Sequence, residues 1–313
     1  MAMVVKHLAP VCLFVYNRLD ETKKTIKALS NNYLASESDL FIFSDAGKTL
    51  KDKIKVEEMR EYLKSVEGFK SVTLNYSDFN QGLAKSIING VSQLHQIYEK
   101  IIVLEDDLIT SPNFLDFMNQ GLDFYEKNES IFSISGYSLD ISNRNLTDDI
   151  YLGYRVSSWG WGSWKRVWQN IDWEVRDYHL FIKDKNRIKN FKRGGSDLPR
   201  MLANQMEGKI DSWAIRYCYQ QFKNNMYTVF PATSKIISIG FSEHATNTSH
   251  GAKRFDTQLD PGTRRNFKFK TNLEIDETIQ KIIRSKFNLF SRIQNQIMKR
   301  LIINIRKFRY ERE

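Results

Sequence analysis

Three consecutive carboxylates, Glu105-Asp106-Asp107, directly follow the apolar run 101–104. That run has four aliphatic residues, three of them β-branched, and predicts a strand buried on both faces. Adjacent carboxylates at a strand end raise one another's pKa unless they share a cation. In open α/β sheets, ligands bind at the C-terminal ends of the strands. The motif therefore indicates a divalent cation holding a phosphorylated ligand, although a solvated acidic turn would explain the same residues.

The elements that must position this motif alternate along the first half of the chain. Apolar runs predict strands at 11–16, 40–43, 72–76, 101–104 and 131–136. Helical patterns lie between them, at 20–30, 53–65, 82–98 and 113–127. Short strands separated by helices of this length predict an α/β fold with a mostly parallel sheet flanked by helices.

The second half is less regular. The stretch 157–164 alternates tryptophan with glycine or serine, which predicts flat aromatic surfaces on a mobile backbone. The charged stretch 176–208 is helix or loop, and a helix is expected at 212–223. Extended segments are expected at 228–231 and 236–240.

Charge is concentrated at the end of the chain. The 313 residues carry a formal net charge of +10, and from Glu277 onward ten Lys or Arg face three Glu. The body is therefore close to neutral, which argues against a general nucleic-acid surface. Cys12 and Cys218 are expected to be reduced core residues, typical of a reducing compartment. The apolar run near the amino terminus is too short for a signal peptide or a membrane span, so we expect a soluble or peripheral protein.

The segment 277–313 has the pattern of a basic amphipathic helix. Apolar residues recur every three or four positions from Ile283 to Phe308, and Arg292, Lys299 and Arg306 share another face. A membrane-interfacial helix fits this pattern. A helix packed on the body or a coiled-coil dimer would explain the apolar stripe but not the lack of compensating acids. We therefore predict that this tail binds an anionic membrane surface.

Four motifs, in this order along the chain, resemble those of a known family. They are Arg18 after the first strand, Ser44-Asp45-Ala46-Gly47, Asn80-Gln81-Gly82-Leu83 and Glu105-Asp106-Asp107. This set resembles the GT-A fold glycosyltransferases, in particular the N-acetylglucosaminyltransferase I type and its bacterial relatives. The resemblance covers about 10–251 and is strongest up to 136. It implies a Rossmann-like GT-A domain with a nucleotide-sugar half at 1–136 and an acceptor half at 137–276, followed by the tail at 277–313.

The resemblance also implies a donor site. Asp107 matches the carboxylate that ligates Mn²⁺ (or Mg²⁺), and Asp106 matches the one that lies against the ribose, with Glu105 in the same turn. Arg18 matches the arginine that binds the diphosphate, for which a guanidinium fork is well suited. Asp45 matches the residue that accepts the uracil imide proton. His250 lies where such enzymes often place a histidine near the metal or the diphosphate.

On the acceptor side, Asp211 resembles the family's catalytic base, which takes the proton of the attacking hydroxyl. The family's base directly precedes a tryptophan, whereas Ser212 occupies that position here. Glu243 is therefore a rival base, and Asp211 would serve equally well as a helix N-cap. Trp159, Trp161 and Trp164 are candidates for sugar or acceptor contacts, and a core role is the alternative.

Together these features predict an inverting, metal-dependent glycosyltransferase, a hexosyl- or N-acetylhexosaminyltransferase that uses a UDP-sugar. With a membrane-bound tail, a lipid-linked saccharide acceptor is expected, in bacterial surface polysaccharide synthesis at the cytoplasmic face of the plasma membrane. A metal-dependent phosphohydrolase or nuclease and a non-catalytic membrane-binding module are the alternatives.

Overall fold

The structure is a computed structural model that describes residues 7–141, 148–240, 255–272 and 274–288. Strands β1–β10 lie at Val11–Val15, Asp39–Ser44, Ser71–Tyr76, Lys100–Glu105, Leu108–Thr110, Ile131–Ser135, Ile150–Gly153, Trp161–Trp164, Tyr227–Pro231 and Ile236–Ser238. Helices α1–α10 lie at Leu19–Ser30, Leu50–Leu63, Leu83–Leu94, Phe114–Phe124, Lys165–Trp168, Tyr178–Phe181, Lys185–Phe191, Leu198–Met206, Trp213–Lys223 and Glu277–Lys286.

The central sheet has eight strands in the order β3-β2-β1-β4-β8-β6-β9-β7. Six of them run in one direction, and β8 and β7 run antiparallel to their neighbours. β5 and β10 form a separate two-stranded antiparallel ribbon. Because helices flank a mainly parallel sheet, the predicted α/β class is confirmed.

Strands β1 and β4 form because their central positions are continuously apolar. β1 is buried at all five positions, and β4 is buried at its four central positions. Both lie in the interior of the sheet, with β1 between β2 and β4. Strands covered on both faces need no alternating pattern, so their apolar runs identify them in the sequence.

The tryptophan-rich stretch differs from the prediction. Its second half, Trp161–Trp164, forms β8, a buried strand between β4 and β6, whereas 157–160 lies outside any helix or strand. Its glycines permit close packing: Gly160 has a φ of +55°, and a Cβ there would overlap the side chain of Ile236. A Cβ at Gly162 would lie 3.0 Å from the carbonyl oxygen of Ile101 on the neighbouring strand.

The carboxyl-terminal helix α10 packs against the body. Ile279, Ile283 and Phe287 are buried in a cluster with residues that include Tyr137 and Phe230. The first members of the predicted lipid-facing stripe, Ile283 and Phe287, therefore contact protein. The remainder of the predicted tail, 289–313, lies outside the described residues. No helix in the described ranges is long and apolar enough to cross a membrane.

Candidate functional site

Three chain segments meet at one edge of the central sheet. β1, β2 and β4 are adjacent and parallel, and the register places Val15 opposite Ser44 and Phe14 opposite Glu105. The residues that follow each strand therefore emerge side by side. These are Arg18 after β1, Asp45 after β2 and the acidic turn Glu105-Asp106-Asp107 after β4. The structure thus brings together residues separated by nearly ninety positions.

Arg18 holds the acidic turn. Its guanidinium forms ion pairs with Asp106 and, through Nη1 at 3.0 Å, with Oδ2 of Asp107. The backbone N–H of Tyr16 donates to Oδ2 of Asp106 at 3.3 Å. From α1, the hydroxyl of Thr25 donates to the carbonyl of Asp106 at 2.8 Å and accepts the N–H of Leu108 at 3.1 Å. The turn is thereby fixed by both the loop after β1 and the helix that follows it.

The turn carries more negative charge than one guanidinium neutralises. Burial, with the nearby charges of Asp107 and Asp106, raises the pKa of Glu105 to about 8. Burial also raises the pKa of Asp106 to about 6, although the ion pair with Arg18 opposes this shift. Burial disfavours the charged guanidinium of Arg18, but Asp106 and Asp107 outweigh it and raise the pKa of Arg18. An additional cation would relieve this excess of acid.

The turn fits a divalent cation that shares its coordination with a ligand. In the described part of the chain, no cluster of three His, Cys, Asp or Glu side chains could hold a metal by itself. Mg²⁺-like ions are usually bound by one or two carboxylates together with substrate phosphates and water. The carboxylate of Asp107, 13% exposed and contacting one Arg18 nitrogen, suits this arrangement. His250, the other predicted ligand, lies outside the described residues.

Asp45 is the anchor of the loop before α3. Its Oδ1 accepts the N–H groups of Ala46 and Gln81, both at 2.9 Å. Its Oδ2 accepts the N–H of Gly82 at 2.9 Å and the side-chain amide of Asn80 at 3.1 Å. A carboxylate offers about four lone-pair sites, and all four are used here. The carboxylate therefore holds the loop before α3 in place, and the expected contact with a uracil imide stays a prediction.

Asp211 lies next to this loop. A Cβ on Gly82 would be 4.0 Å from Oδ2 of Asp211, so the two segments are neighbours in space. The carboxylate is 61% exposed and is approached by Nη2 of Arg216 at 3.4 Å. Ser212, not Asp211, is the N-cap of α9, because its hydroxyl accepts the N–H of Ile215 at 3.3 Å. Ser212 therefore takes the helix-capping role that was the alternative role for Asp211.

A cavity of about 440 Å³ adjoins these residues. Beside the carboxyl ends of the strands, the cavity wall includes Glu105, Leu83 and Asp211. The rest of its lining is largely aromatic and aliphatic, and includes Tyr137, Tyr151, Trp159, Trp213, Phe230, Ile283 and Phe287. Small-molecule sites have this size and this combination of apolar walls with a few polar groups.

The three candidate tryptophans separate into two groups. Trp161 and Trp164 are 1% and 2% exposed, so their faces are covered by protein. Trp161 stacks on Trp213 at 5.1 Å, and the indole N–H of Trp164 donates to the Leu122 carbonyl at 3.0 Å. A sugar cannot reach either ring, which corrects the sequence-based expectation. Trp159 alone of the three lines the cavity.

No protein-family model matches this sequence. A comparison with curated proteins likewise finds no match.

Several solved structures are similar at low levels. The mannosyltransferase PcManGT from Pyrobaculum calidifontis, in complex with GDP-Man and Mn²⁺, is 11% identical over 71% of this chain and 72% of that chain, with a TM-score of 0.39. S. aureus TarS 1–349 is 8% identical over 74% of this chain and 61% of its own, less than two thirds of its length, with a TM-score of 0.42. A cytidylyltransferase from Leptospira borgpetersenii is 12% identical over 53% of this chain and 64% of that chain, with a TM-score of 0.33. Similarities this low assign neither activity nor substrate, so the function is argued from the residues themselves.

Two groups in or beside the cavity were missed by the sequence analysis. Arg155 and Asp197 form a buried ion pair in the cavity wall, with Nη1 at 2.9 and 3.0 Å from the two carboxylate oxygens. Arg216 bonds the carbonyls of Ser212 and Trp173 while contacting Asp211, so it orients the candidate base. Neither group belongs to a recognisable local motif. The rival base Glu243 lies outside the described residues.

Proposed function

We propose that this protein is a GT-A glycosyltransferase that moves a sugar from a nucleoside-diphosphate donor, UDP-linked by the resemblance, to a saccharide acceptor. The observation that carries the proposal is the convergence of Arg18 and the Glu105-Asp106-Asp107 turn at the ends of adjacent parallel strands, beside a ligand-sized cavity. Ligands of α/β sheets bind at this edge. An acidic turn held by an arginine suits a diphosphate bound together with a divalent cation.

In this proposal the donor binds at the carboxyl ends of β1, β2 and β4. Arg18 contacts the diphosphate, and Asp106 faces the ribose. Asp107 would hold Mn²⁺ or Mg²⁺. The cation, when bound, offsets the charge of the diphosphate as it departs. Asp45 keeps the loop before α3 in place and so shapes the donor site.

The acceptor occupies the cavity. Its hydroxyl oxygen attacks the anomeric carbon from the side opposite the diphosphate, so the bond from that carbon to the diphosphate breaks and the configuration inverts. Asp211 takes the hydroxyl proton, and the nucleoside diphosphate departs. Three features support this role: the position of Asp211 in the cavity wall, its exposure and its contact with Arg216. The apolar lining favours an acceptor with an apolar part, in keeping with a lipid-linked saccharide of a surface polysaccharide. The sugar transferred, hexose or N-acetylhexosamine, remains open to assay.

A thermal-shift matrix tests the proposal. Wild type and Asp107→Ala are heated with UDP, GDP or CDP, each with Mn²⁺ or with EDTA. We expect wild type to be stabilised by UDP and Mn²⁺ together and not by either alone, because ligand binding to the native state raises the melting temperature. Asp107→Ala should melt like wild type without ligand and lose the joint effect.

Other outcomes point to the alternatives. Stabilisation by Mn²⁺ alone would favour a phosphohydrolase or nuclease. No response to any nucleotide would leave a membrane-binding module and contradict the transferase.

A further inference from the structure

The helical pair α6–α7 and the turn after it form a cationic surface on the body. Between 178 and 193 the chain has six Lys or Arg and a single acid, Asp184. That acid caps α7, since its side chain accepts the N–H groups of Asn186 and Arg187. The local excess of +5 is therefore part of the folded body and separate from the tail.

Buried aromatic residues fix the orientation of this surface. Phe181 and Phe191 pack edge to face at 5.6 Å and both contact α9, where Phe181 lies 5.1 Å from Tyr219 and Phe191 5.0 Å from Phe222. With these two rings pointing inward, the other face of α6–α7 is turned to solvent. Positions 185, 189 and 192 follow the helical period and share that face.

Two large aliphatic side chains are exposed among the lysines. Leu180 is 55% exposed and Ile182 is 49% exposed. Lys183, Lys185, Lys189 and Lys192 are all exposed, and none forms an ion pair with a described residue. By contrast, Arg187 is neutralised by Asp177 at 3.1 Å. We call this set the α6–α7 patch, consisting of Leu180, Ile182, Lys183, Lys185, Lys189 and Lys192.

The patch adjoins α10. Arg193, directly after the patch, lies 3.5 Å from Glu277 at the start of α10. Ser196 donates a hydrogen bond of 3.2 Å to the carbonyl of Phe287, which follows α10. Phe287, close to the last described residue before the basic sequence 289–313, therefore lies near the same surface.

We propose that the α6–α7 patch docks on an anionic lipid membrane. Lysines attract acidic headgroups, and each contributes on the order of 1 kcal/mol near an anionic surface. Leu180 and Ile182 would enter the interface, as apolar side chains of peripheral proteins do. Exposed aliphatic residues favour lipid over nucleic acid, which is bound mainly through phosphate contacts and aromatic stacking.

Vesicle co-sedimentation of the full-length protein tests this proposal. Vesicles are made of phosphatidylcholine alone or mixed with phosphatidylserine, and no donor or acceptor is added, so the result is independent of the transferase proposal. One variant changes the four patch lysines to Gln, and another carries Leu180→Ser and Ile182→Ser. Matched controls change Lys23, Lys24, Lys27 and Lys51 to Gln, or carry Leu50→Ser and Ile54→Ser on α2, where the aliphatic residues are at least as exposed as those of the patch.

The lysine variant should bind phosphatidylserine vesicles roughly tenfold or more weakly than its control, with a reduced dependence on salt. The Leu180/Ile182 variant should bind several-fold more weakly, with the salt dependence unchanged. All variants alter surface residues, and circular dichroism confirms folding. Patch variants that bind like their controls, or wild type that ignores anionic vesicles at low salt, would overturn the proposal. Binding to single-stranded RNA that is lost with the lysines but not with the aliphatic residues would assign the patch to nucleic acid instead.

Discussion

At the scale of single residues, Asp45 after β2 and Asp107 after β4 have different surroundings. Asp45 accepts four hydrogen bonds from its own loop and from the loop before α3. Within the described residues, the ion-pair partner of the Asp107 carboxylate is Arg18, and its side chain also packs against Gly240. In the sequence, both are carboxylates at the end of a strand. The structure distinguishes them by the number of hydrogen-bond donors around each: Asp45, which has many, holds a loop, and Asp107, which has few, is the candidate metal ligand.

Asp45→Asn tests the anchor role. The substitution replaces one carboxylate oxygen by an NH₂ group, which cannot accept the hydrogen bonds that backbone N–H groups donate to this oxygen. We therefore expect the free energy of unfolding to fall by about 1 to 3 kcal/mol. Urea denaturation measures it, with exposed Asp78→Asn as the control. If the variant is as stable as wild type but loses UDP affinity, Asp45 contacts the nucleobase after all.

Asp211→Asn tests the base. The change keeps the shape of the side chain and removes its basicity, so turnover should fall by roughly 10²-fold or more while donor affinity stays the same. Steady-state kinetics with the identified donor and acceptor measure both. Retained turnover in Asp211→Asn, with its loss in Glu243→Gln, would make Glu243 the base.

The sequence identified the strand-end residues because each follows an apolar run that is easy to recognise. It did not identify the pair Arg155–Asp197, whose members are 42 positions apart, on elements whose packing no local pattern specifies. The same holds for the donors that surround Asp45, since they come from a loop more than thirty positions away.

At the scale of elements, the strands with long apolar runs were predicted well, whereas β8 was not. β1, β2 and β4 have the β-branched and aromatic runs that are typical of strands. β8 reads Trp-Gly-Ser-Trp, and glycine usually weakens a strand. Its position is set by close approach to β4 and by stacking of Trp161 on α9, which are long-range contacts.

α10 is predicted to be a structural element of the body. Phe287 is 6% exposed, and the guanidinium of Arg155 lies 4.0 Å from its ring centre. Phe287→Ala should therefore lower the free energy of unfolding by about 3 kcal/mol. Exposed Phe79→Ala is the control and should change it by less than about 0.5 kcal/mol. Both values come from denaturant unfolding.

Truncation gives an independent check of the same element. A chain ending at Asn288 should fold like the full protein, and one ending at Asp276 should be destabilised or aggregate, because it exposes the surface covered by Ile279 and Ile283. Equal stability of the two truncated chains would show that α10 belongs to the tail and not to the body.

The free energy of unfolding is predicted to depend on pH through His95, at the end of α3. His95 donates from Nδ1 to the Tyr98 carbonyl at 3.0 Å, and burial lowers its pKa to about 4 from the usual 6.5. The unfolded chain therefore binds a proton at a higher pH than the native state. As a result, stability falls as the pH drops from about 6.5 to 4, by up to roughly 3 kcal/mol. Unfolding measured across this range should be less pH-dependent in His95→Gln, and unchanged in exposed His179→Gln.

At the scale of the whole molecule, charge separates two surfaces. The tail contributes +7 and the segment 178–193 contributes +5 to the net charge of +10, so the remainder has a slight acidic excess. That remainder includes the acidic turn, which is compatible with a cation-dependent donor site. The two proposals use different residues. The basic regions would face lipid, and the carboxyl ends of β1, β2 and β4 would hold the donor, so either proposal can be disproved without affecting the other.

The central claim is that Arg18 and Asp107 hold a nucleoside diphosphate and a divalent ion at the strand edge. The most direct measurement is an anomalous difference map from crystals grown with UDP and Mn²⁺. We predict one manganese peak within coordination distance of both the Asp107 carboxylate and the diphosphate, with the diphosphate contacting Arg18. The opposite result would be a structure in which UDP and manganese bind elsewhere, or in which Arg18 still contacts only Asp106 and Asp107 at saturating UDP and Mn²⁺.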